Sequence, residues 1–325
     1  MKRRSFVLAT LATALGGSAR LAFGKKSKGP RRVGLLGLVG TPSASPKTLQ
    51  ALRDGLRERG HLEGRDIVIE ARYAARPEDF PRLAAELAAL KPAVIIAYGP
   101  AATDAALAAD SAVPVVAMSG DFVLAGLAAE VAHPGGRVTG INIFGTPLNA
   151  KRLELLAELL PKGSVVLNLA EPIARTDVMQ AVEAAGRSLG LEMHAAYAST
   201  PSEIDAAFAT ARKLRVAGIN VLSSPFLHAS RARIIELAAG AKLPVIYQWS
   251  ESAVDGGLMA YGPRRAPMDL QLAGFASRIL DGAKPGDLPI EQPTRFELVI
   301  NLKTARALGV AIPQSMLLRA DEVIQ

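Results

Sequence analysis

Cysteine is absent from this chain of 325 residues, and histidine and tryptophan are scarce, with four residues and one residue respectively. The absence of cysteine excludes disulfide bonds, thiol catalysis, cysteine metal sites and a lipid-modified cysteine anchor. The histidines are scattered, and no pair has the spacing that zinc-binding helices use. His61 and His133 stand in glycine-flanked turns, which predicts solvated loop side chains. The sequence therefore predicts no metal site.

The motifs of the common enzyme classes are missing as well. The run from Gly34 to Gly40 spaces its glycines as G-x-x-G-x-x-G, unlike the dinucleotide fingerprint, and no phosphate-loop lysine follows it. No G-x-S-x-G elbow occurs. Ser223 and Ser224 have only His228 nearby and no further support for a catalytic triad. We therefore expect no enzymatic activity and no cofactor.

Positive charge is concentrated at one end of the chain. The net charge is +8, but the first 32 residues contain nine lysines or arginines and no acid. The rest of the chain therefore has a net charge of −1. A nucleic-acid-binding protein would instead carry its basic residues on a folded surface. We expect no nucleic-acid partner.

The basic end has the layout of an export signal. A basic start (residues 2–4) precedes an apolar stretch (residues 6–15), and small residues follow. The stretch is shorter than the ~20 residues that a membrane-spanning helix needs. The arginine pair fits a twin-arginine signal and also fits the basic start of a general secretory signal. We expect residues 1–24 to be a signal peptide, residues 25–32 a basic linker, and the protein to be periplasmic.

Beyond this leader, short apolar runs alternate with helical patterns. Most runs are apolar on both faces, as in parallel strands that are covered by helices. Leu49, Leu52 and Leu56 form one of the helical stripes between them. The alternation predicts an α/β protein with doubly wound parallel sheets, and so many strands fit two lobes better than one. The predicted strands are 33–38, 66–71, 93–97, 114–118, 138–144, 164–169, 192–197, 218–222, 244–247, 257–261 and 296–301.

Several stretches resemble one family of proteins, in the same order along the chain. The longest runs from Gly282 to Gly309 and reads as a proline-rich connector, a short strand and a helix. Shorter matches are residues 60–66 (Gly-His-Leu-Glu-Gly-Arg-Asp), 133–140 (His-Pro-Gly-Gly-Arg-Val-Thr-Gly), 150–156 (Ala-Lys-Arg-Leu-Glu-Leu-Leu) and 256–263 (Gly-Gly-Leu-Met-Ala-Tyr-Gly-Pro). After Arg32, the chain resembles the exported substrate-binding proteins of ABC transporters.

The resemblance implies a two-lobed periplasmic-binding fold. Each lobe would be a doubly wound α/β sandwich on a parallel sheet, and the chain would cross between the lobes three times. Lobe one would comprise residues 33–143 and 248–285. Lobe two would comprise residues 144–247 and 286–325.

The resemblance also implies a function. The protein would capture a small solute between its lobes by hinge closure and deliver it to ABC permease subunits in the membrane. The implied solute is an amino acid, with aromatic or other apolar ones first, and we expect a monomer. Two alternatives stay open: a ligand sensor of the same fold that signals through a membrane receptor, and an α/β enzyme.

Ligands of open parallel sheets sit beyond the carboxyl ends of the strands, so the residues at these ends are the candidates for binding. They are Thr41, Tyr98, Gly99, Ala101, Ser119 and Asp121 in lobe one, Phe144, Thr146, Glu171 and Ser224 in lobe two, and Trp249 at the hinge. For each of them, the alternative is a cap, a turn or a packed aromatic side chain.

This set suits a zwitterionic solute. Its carboxylate would rest on N–H groups at a helix start, at Ala101 or Thr146. Its ammonium would bind Asp121 or Glu171, and Asp121 is preferred because it matches a Gly-Asp turn of the family. An apolar substituent would pack on the aromatic rings of the set.

Two positions depart from the family pattern. Phe122 stands where relatives usually have proline, and Gln248-Trp249-Ser250 replaces a basic and aromatic stretch. Both lie at the presumed cleft, so the substrates of the family do not transfer directly to this chain.

Overall fold

Lobe one is a parallel sheet covered by helices on both faces. The computed structural model describes residues 29–143, 145–172 and 176–325. The elements of this lobe that precede the first crossing are β1 (Arg31–Leu38), α1 (Pro46–Arg57), β2 (Ile67–Ala74), α2 (Phe80–Ala89), β3 (Val94–Tyr98), α3 (Pro100–Ala109), β4 (Val115–Ser119) and β5 (Val138–Asn142). The strand order is β2-β1-β3-β4-β5, and all pairs are parallel.

Lobe two has a larger sheet, and its elements follow in chain order. They are α4 (Gly145–Ala157), β6 (Val165–Ala170), α5 (Thr176–Ser188), β7 (Glu192–Tyr197), α6 (Pro201–Lys213), β8 (Gly218–Val221), α7 (Pro225–Ala229), α8 (Arg231–Ala241), β9 (Val245–Tyr247), α9 (Ser250–Val254) and β10 (Met259–Pro263). After α10 (Arg265–Leu280), the chain adds β11 (Phe296–Asn301), α11 (Leu302–Leu308), α12 (Gln314–Leu317) and β12 (Glu322–Ile324).

The sheet of lobe two has the order β12-β11-β10-β9-β8-β6-β7. The pairs are parallel except that β11 runs antiparallel to β10. The two-lobed α/β fold expected from the sequence is confirmed. The short edge strand β12 was not predicted, because a three-residue run has too little pattern to read.

Helices cover both faces of the lobe-one sheet, which explains why its strands are apolar throughout. α1 and α10 bury Leu56 and Phe275 against one face. α2 and α3 bury Leu87 and Ala106 against the other. Parallel strands between two helical layers present no face to water, so their side chains are apolar on both sides.

The chain crosses between the lobes three times within the described residues. It leaves lobe one after β5 and returns after β10. The strand β10 still pairs with β9 in the sheet of lobe two, whereas the following helix α10 packs on α1 of lobe one. The third crossing follows Glu291, whose N–H still donates to the carbonyl oxygen of Gly140 at 2.9 Å.

Two boundaries therefore lie later than the sequence suggested. Residues 248–263 belong to lobe two, not to lobe one, because pairing of β10 with β9 and β11 determines their place. The tail stays on lobe one to Glu291 rather than ending there at Pro285, because Ile290 is buried in the lobe-one core. Such pairings join residues far apart in sequence, and local patterns do not reveal them.

In the described part of the chain, no helix combines the length and the apolar character that crossing a membrane requires.

Candidate functional site

The carboxyl ends of strands in both lobes meet at the boundary between the lobes. Arg231 of α8 donates a hydrogen bond to the carbonyl oxygen of Gly40, after β1, at 3.0 Å. Gly99, after β3, approaches α7 so closely that an added Cβ would lie 3.0 Å from Pro225 Cγ. The lobes therefore contact each other across the cleft, and the conformation is closed.

Three hydrogen-bonded side chains lie on the lobe-one side of the cleft. They are Tyr98, Thr48 and Asp269, and they are here called the Asp269 cluster. The Tyr98 hydroxyl donates to Asp269 Oδ1 at 3.0 Å, and the Thr48 hydroxyl donates to Oδ2 at 3.1 Å. All three side chains are buried. Burial raises the pKa of Asp269, while Arg265 and the two hydroxyl donors oppose that rise. Burial, followed by the charge of Asp269, also raises the pKa of Tyr98.

Arg265, the first residue of α10, lies between two aromatic rings from different lobes. Its guanidinium carbon is 5.4 Å from the centroid of the Tyr98 ring and 5.4 Å from that of Trp249. Both distances are within the range of a cation–π interaction. The Asp269 carboxylate is 3.9 Å from Arg265 Nη2, at the limit of an ion pair. Nε and Nη2 of Arg265 are buried and have no hydrogen-bond partner among the described residues.

Trp249, His228, Gln248 and Arg265 form a second group, here called the Trp249 cluster. His228 packs edge-on against Trp249, with ring centroids 6.4 Å apart. Nε2 of His228 and Nε2 of Gln248 are buried without a partner in the described part of the chain. Burial, with the nearby charges of Arg231 and Arg265, lowers the pKa of His228 to about 3, so its ring is neutral. A small cavity lies between His228, Gln248 and Ser224.

Glu171 and Ser224 form a pair at the lobe-two side of the cleft. The Ser224 hydroxyl donates to the Glu171 carboxylate and also accepts from the N–H of Leu227 at 2.9 Å, which caps α7. Burial raises the pKa of Glu171, and the hydrogen bond from Ser224 opposes the rise. A partly desolvated carboxylate at a cleft is a natural partner for a cationic group.

Arg152 lies beneath this side of the cleft as a fully buried cation. It donates to the carbonyl oxygen of Tyr261 at 3.1 Å, to Ser223 Oγ at 3.2 Å and to Asn149 Oδ1. Burial lowers the pKa of Arg152 to about 9. The contacts connect α4, the turn after β8 and the strand β10, so Arg152 fixes the position of the Ser223–Ser224 turn.

The remaining predicted site residues fall into three groups. Thr41 donates to the carbonyl oxygen of Leu38 at 2.6 Å and contacts Ser43, and Ser119 is buried at the end of β4. Asp121 is exposed, and its Oδ1 accepts from the N–H groups of residues 123 and 124, both at 3.0 Å, as a turn cap does. Phe144 and the side chain of Thr146 lie outside what the structure describes.

The sequence reasoning missed Arg265 and Asp269. Their signal was the spacing: an arginine two residues after a buried strand end begins a helix, and an acid follows four residues later on the same helix. It also placed His61 in solvent, whereas His61 is buried and its Nε2 lies 3.1 Å from Ser277 Oγ. The α1–β2 turn packs under α10, and that long-range contact covers the ring.

The described residues contain no group of three or more histidines and acids that could hold a metal ion. The polar atoms at the lobe boundary are hydrogen-bond donors and carboxylates at the ends of strands. This arrangement suits the capture of a small polar molecule between the lobes.

Comparison with known proteins agrees with this geometry. A Clostridioides difficile "Tyrosine-binding protein" is 27% identical over 294 residues, which is 87% of this chain and 82% of the relative. A conserved domain protein from Vibrio cholerae superposes with a TM-score of 0.84 at 24% identity, covering 91% of this chain and all of that one. An ABC domain in complex with L-Trp from Streptococcus pneumoniae gives a TM-score of 0.81 at 22% identity, with the same coverage. The profile of the family described as "ABC transporter substrate binding protein" matches residues 32–324, and the chain belongs to that family.

Proposed function

We propose that the protein is an extracytoplasmic receptor that captures an amino acid between its lobes and delivers it to an ABC permease. Membership of the substrate-binding family supports the capture of a small solute. The relatives named for tyrosine and for a complex with L-Trp support an amino acid. Transport energy would come from ATP hydrolysis by a separate subunit.

One observation carries the amino-acid proposal. The N-terminus of α3, with the N–H groups of Ala101 and Ala102, follows Gly99, which approaches Pro225 of the other lobe. Ser224, the neighbour of Pro225, donates to the Glu171 carboxylate. A helix N-terminus favours a carboxylate, and a partly desolvated carboxylate favours an ammonium. These contacts support a site at the lobe boundary that offers complementary groups for the two charges of an α-amino acid.

A thermal-shift screen of the purified protein tests this proposal. The panel contains the L-amino acids, the matching acids without the amino group, the matching amines without the carboxylate, and neutral sugars. A solute at 100 times its dissociation constant stabilises the native state by about 2.7 kcal/mol. We expect an intact amino acid to raise the melting temperature and the truncated analogues to fail. Stabilisation by a sugar and by no amino acid would contradict the proposal.

Closure can be followed through Trp249, the sole tryptophan of the chain. The side chain contacts the lobe-one core in the closed form and is only 8% exposed. Opening of the cleft should expose the indole and shift its emission to longer wavelength. Addition of a solute that binds by calorimetry should reverse the shift. An unchanged emission spectrum would show that the exposure of Trp249 does not change when the cleft opens or closes.

We also propose that the leader is removed during export and that delivery to a permease follows. Mass spectrometry of the native protein should find a start near residue 25. An intact Met1 would contradict export by this route. Uptake of the labelled solute should fall in cells that lack the protein, and unchanged uptake would favour a sensor instead.

A further inference from the structure

The aromatic faces at the cleft are occupied by the chain's own cation. Tyr98 and Trp249 are 5% and 8% exposed, and Arg265 lies 5.4 Å from the centroid of each ring. A ligand ring would need one of these faces to stack on. The site that would suit an aromatic amino acid is therefore filled by a guanidinium in the closed form.

The same place has hydrogen-bond donors without acceptors. Nε and Nη2 of Arg265 and Nε2 of Gln248 are buried and unpaired among the described residues. Burial of an unpaired donor costs free energy, and a charged donor costs more than a neutral one. The Asp269 carboxylate does not meet this need, because Tyr98 and Thr48 already donate to it and it is 3.9 Å from Arg265.

The rigid setting of these donors favours a specific acceptor. Arg265 contacts the rings of both Tyr98 and Trp249, and Gln248 immediately precedes Trp249 in the chain. An arginine fixed in this way, with its N–H edge unpaired, matches the two oxygens of a carboxylate or the oxygen of a carboxamide. The adjacent cavity near His228 and Gln248 is small, so the group that enters must be small as well.

We propose that the solute carries a side-chain carboxylate or carboxamide, recognised by Arg265 and Gln248, and that aromatic amino acids are poor ligands. This inference rests on the proposed function, in which the α-carboxylate and α-ammonium bind at the N-terminus of α3 and at Glu171. It adds a third point of recognition at the Trp249 cluster. The solute class is then that of aspartate, asparagine, glutamate and glutamine.

Calorimetry with matched solutes tests the inference on the wild-type protein. The side chain of norleucine spans as many heavy atoms as that of glutamate or glutamine, with a methyl group in place of the terminal acceptor, and phenylalanine, tyrosine and tryptophan supply the rings. We expect at least one of the four acceptor-bearing amino acids to bind tenfold or more tightly than norleucine and the aromatic three. Tighter binding of an aromatic or aliphatic amino acid would overturn the inference and leave the proposed function standing. Binding of no amino acid at all would overturn both.

Variants locate the recognition at the named side chains. Arg265→Met should weaken binding of the acceptor-bearing solute at least tenfold and strengthen binding of an aromatic one, because the ring faces become accessible. Arg278→Met is the matched control: Arg278 lies on the same helix, 4.4 Å from the Phe275 ring centroid, and should change neither affinity. Gln248→Leu should weaken binding of the acceptor-bearing solute and leave binding of the aromatic one unchanged. An unchanged preference in both Arg265→Met and Gln248→Leu, with melting temperatures showing folded protein, would overturn the assignment.

Discussion

The Asp269 cluster and the Trp249 cluster lie side by side at the cleft, and they differ in whether their buried polar atoms have hydrogen-bond partners. In the Asp269 cluster, both carboxylate oxygens accept hydrogen bonds from buried hydroxyl groups of lobe one. In the Trp249 cluster, Arg265, Gln248 and His228 have buried nitrogens without partners among the described residues. Arg265, a member of the Trp249 cluster, connects the two clusters, because it faces Tyr98 and lies near Asp269.

The difference separates structural polar groups from recognition groups. A fully paired buried network stabilises one conformation, whereas unpaired buried donors cost free energy until an acceptor arrives. We therefore assign the Asp269 cluster to the architecture of lobe one and the Trp249 cluster to the recognition of the solute. A substitution in the first should change the stability of the protein, and one in the second should change its affinity.

The largest effect is expected for Asp269→Ala. The substitution leaves the buried hydroxyls of Tyr98 and Thr48 without their acceptor and removes the negative charge near Arg265, and it should lower the free energy of unfolding by about 3 kcal/mol. Thr48→Ala is the control, since it removes one hydrogen bond and should cost about 1 kcal/mol. Urea denaturation followed by circular dichroism measures both. Equal stabilities of wild type and Asp269→Ala would remove the structural role of the cluster.

At neutral pH, Glu171→Gln should chiefly lower the affinity for the solute. Loss of the carboxylate that is proposed to bind the ammonium should weaken amino-acid binding by about 2 kcal/mol, which calorimetry at neutral pH measures. Affinity near that of the wild type would exclude an ammonium contact at Glu171.

The raised pKa of Glu171 gives this substitution a pH signature. Because the pKa is raised above that of the unfolded chain, protonation of Glu171 stabilises the ligand-free fold at low pH, and this contribution disappears as the pH rises through the raised pKa. Ammonium binding needs the ionised carboxylate, so affinity should fall as the pH drops through the same range. Glu171→Gln should abolish the dependence of both stability and affinity on pH in this range. If the affinity of the variant still falls as the pH drops, the titrating group is another acid such as Asp269.

A smaller loss of affinity is expected for Gly99→Ala. Gly99 has φ of 91° and ψ of 165°, a conformation nearly confined to glycine, and its added Cβ would press on Pro225 in the closed form. Gly126→Ala is the control, because Gly126 also has positive φ but faces open space. We expect both to lose stability and only Gly99→Ala to lose affinity, by about tenfold, or about 1.4 kcal/mol. An equal loss of affinity in Gly99→Ala and Gly126→Ala would show that the added methyl group at residue 99 does not obstruct closure.

The smallest effect concerns Asp121, whose carboxylate, like that of Asp269, already accepts hydrogen bonds within lobe one. Its carboxylate accepts from two N–H groups of its own turn. Asp121→Ala should therefore lower the melting temperature in line with a loss of about 1 kcal/mol and leave affinity unchanged. A tenfold loss of affinity would instead restore the ammonium contact that the sequence suggested.

Much of the fold was predictable from local patterns. The strand Glu192–Tyr197 and the strand Phe296–Asn301 have the predicted bounds, because short apolar runs between turn signals mark them in the sequence. The place of Met259–Pro263 was not predictable. Its pairing with Val245–Tyr247 and with Phe296–Asn301 depends on contacts between distant segments, so the second crossing was assigned too early.

The site was predictable only where it follows the strand ends. Tyr98, Glu171, Ser224 and Trp249 lie at the lobe boundary for that reason. Arg265 was missed because no local motif marks it. Its place at the cleft depends on contacts with the rings of Tyr98 and Trp249, which are distant in sequence. The carboxylate of Asp121 accepts hydrogen bonds from its own turn, which is the alternative to ligand binding that the sequence left open.

A crystal structure with the tightest-binding amino acid tests the central claim most directly. The account predicts side-chain oxygens of the solute within about 3.2 Å of Arg265 and Gln248 nitrogens, with Tyr98, Thr48 and Asp269 still bonded to one another. A solute stacked on the Tyr98 or Trp249 ring, with Arg265 displaced from the cleft and the Asp269 cluster broken to hold the ammonium, would contradict it.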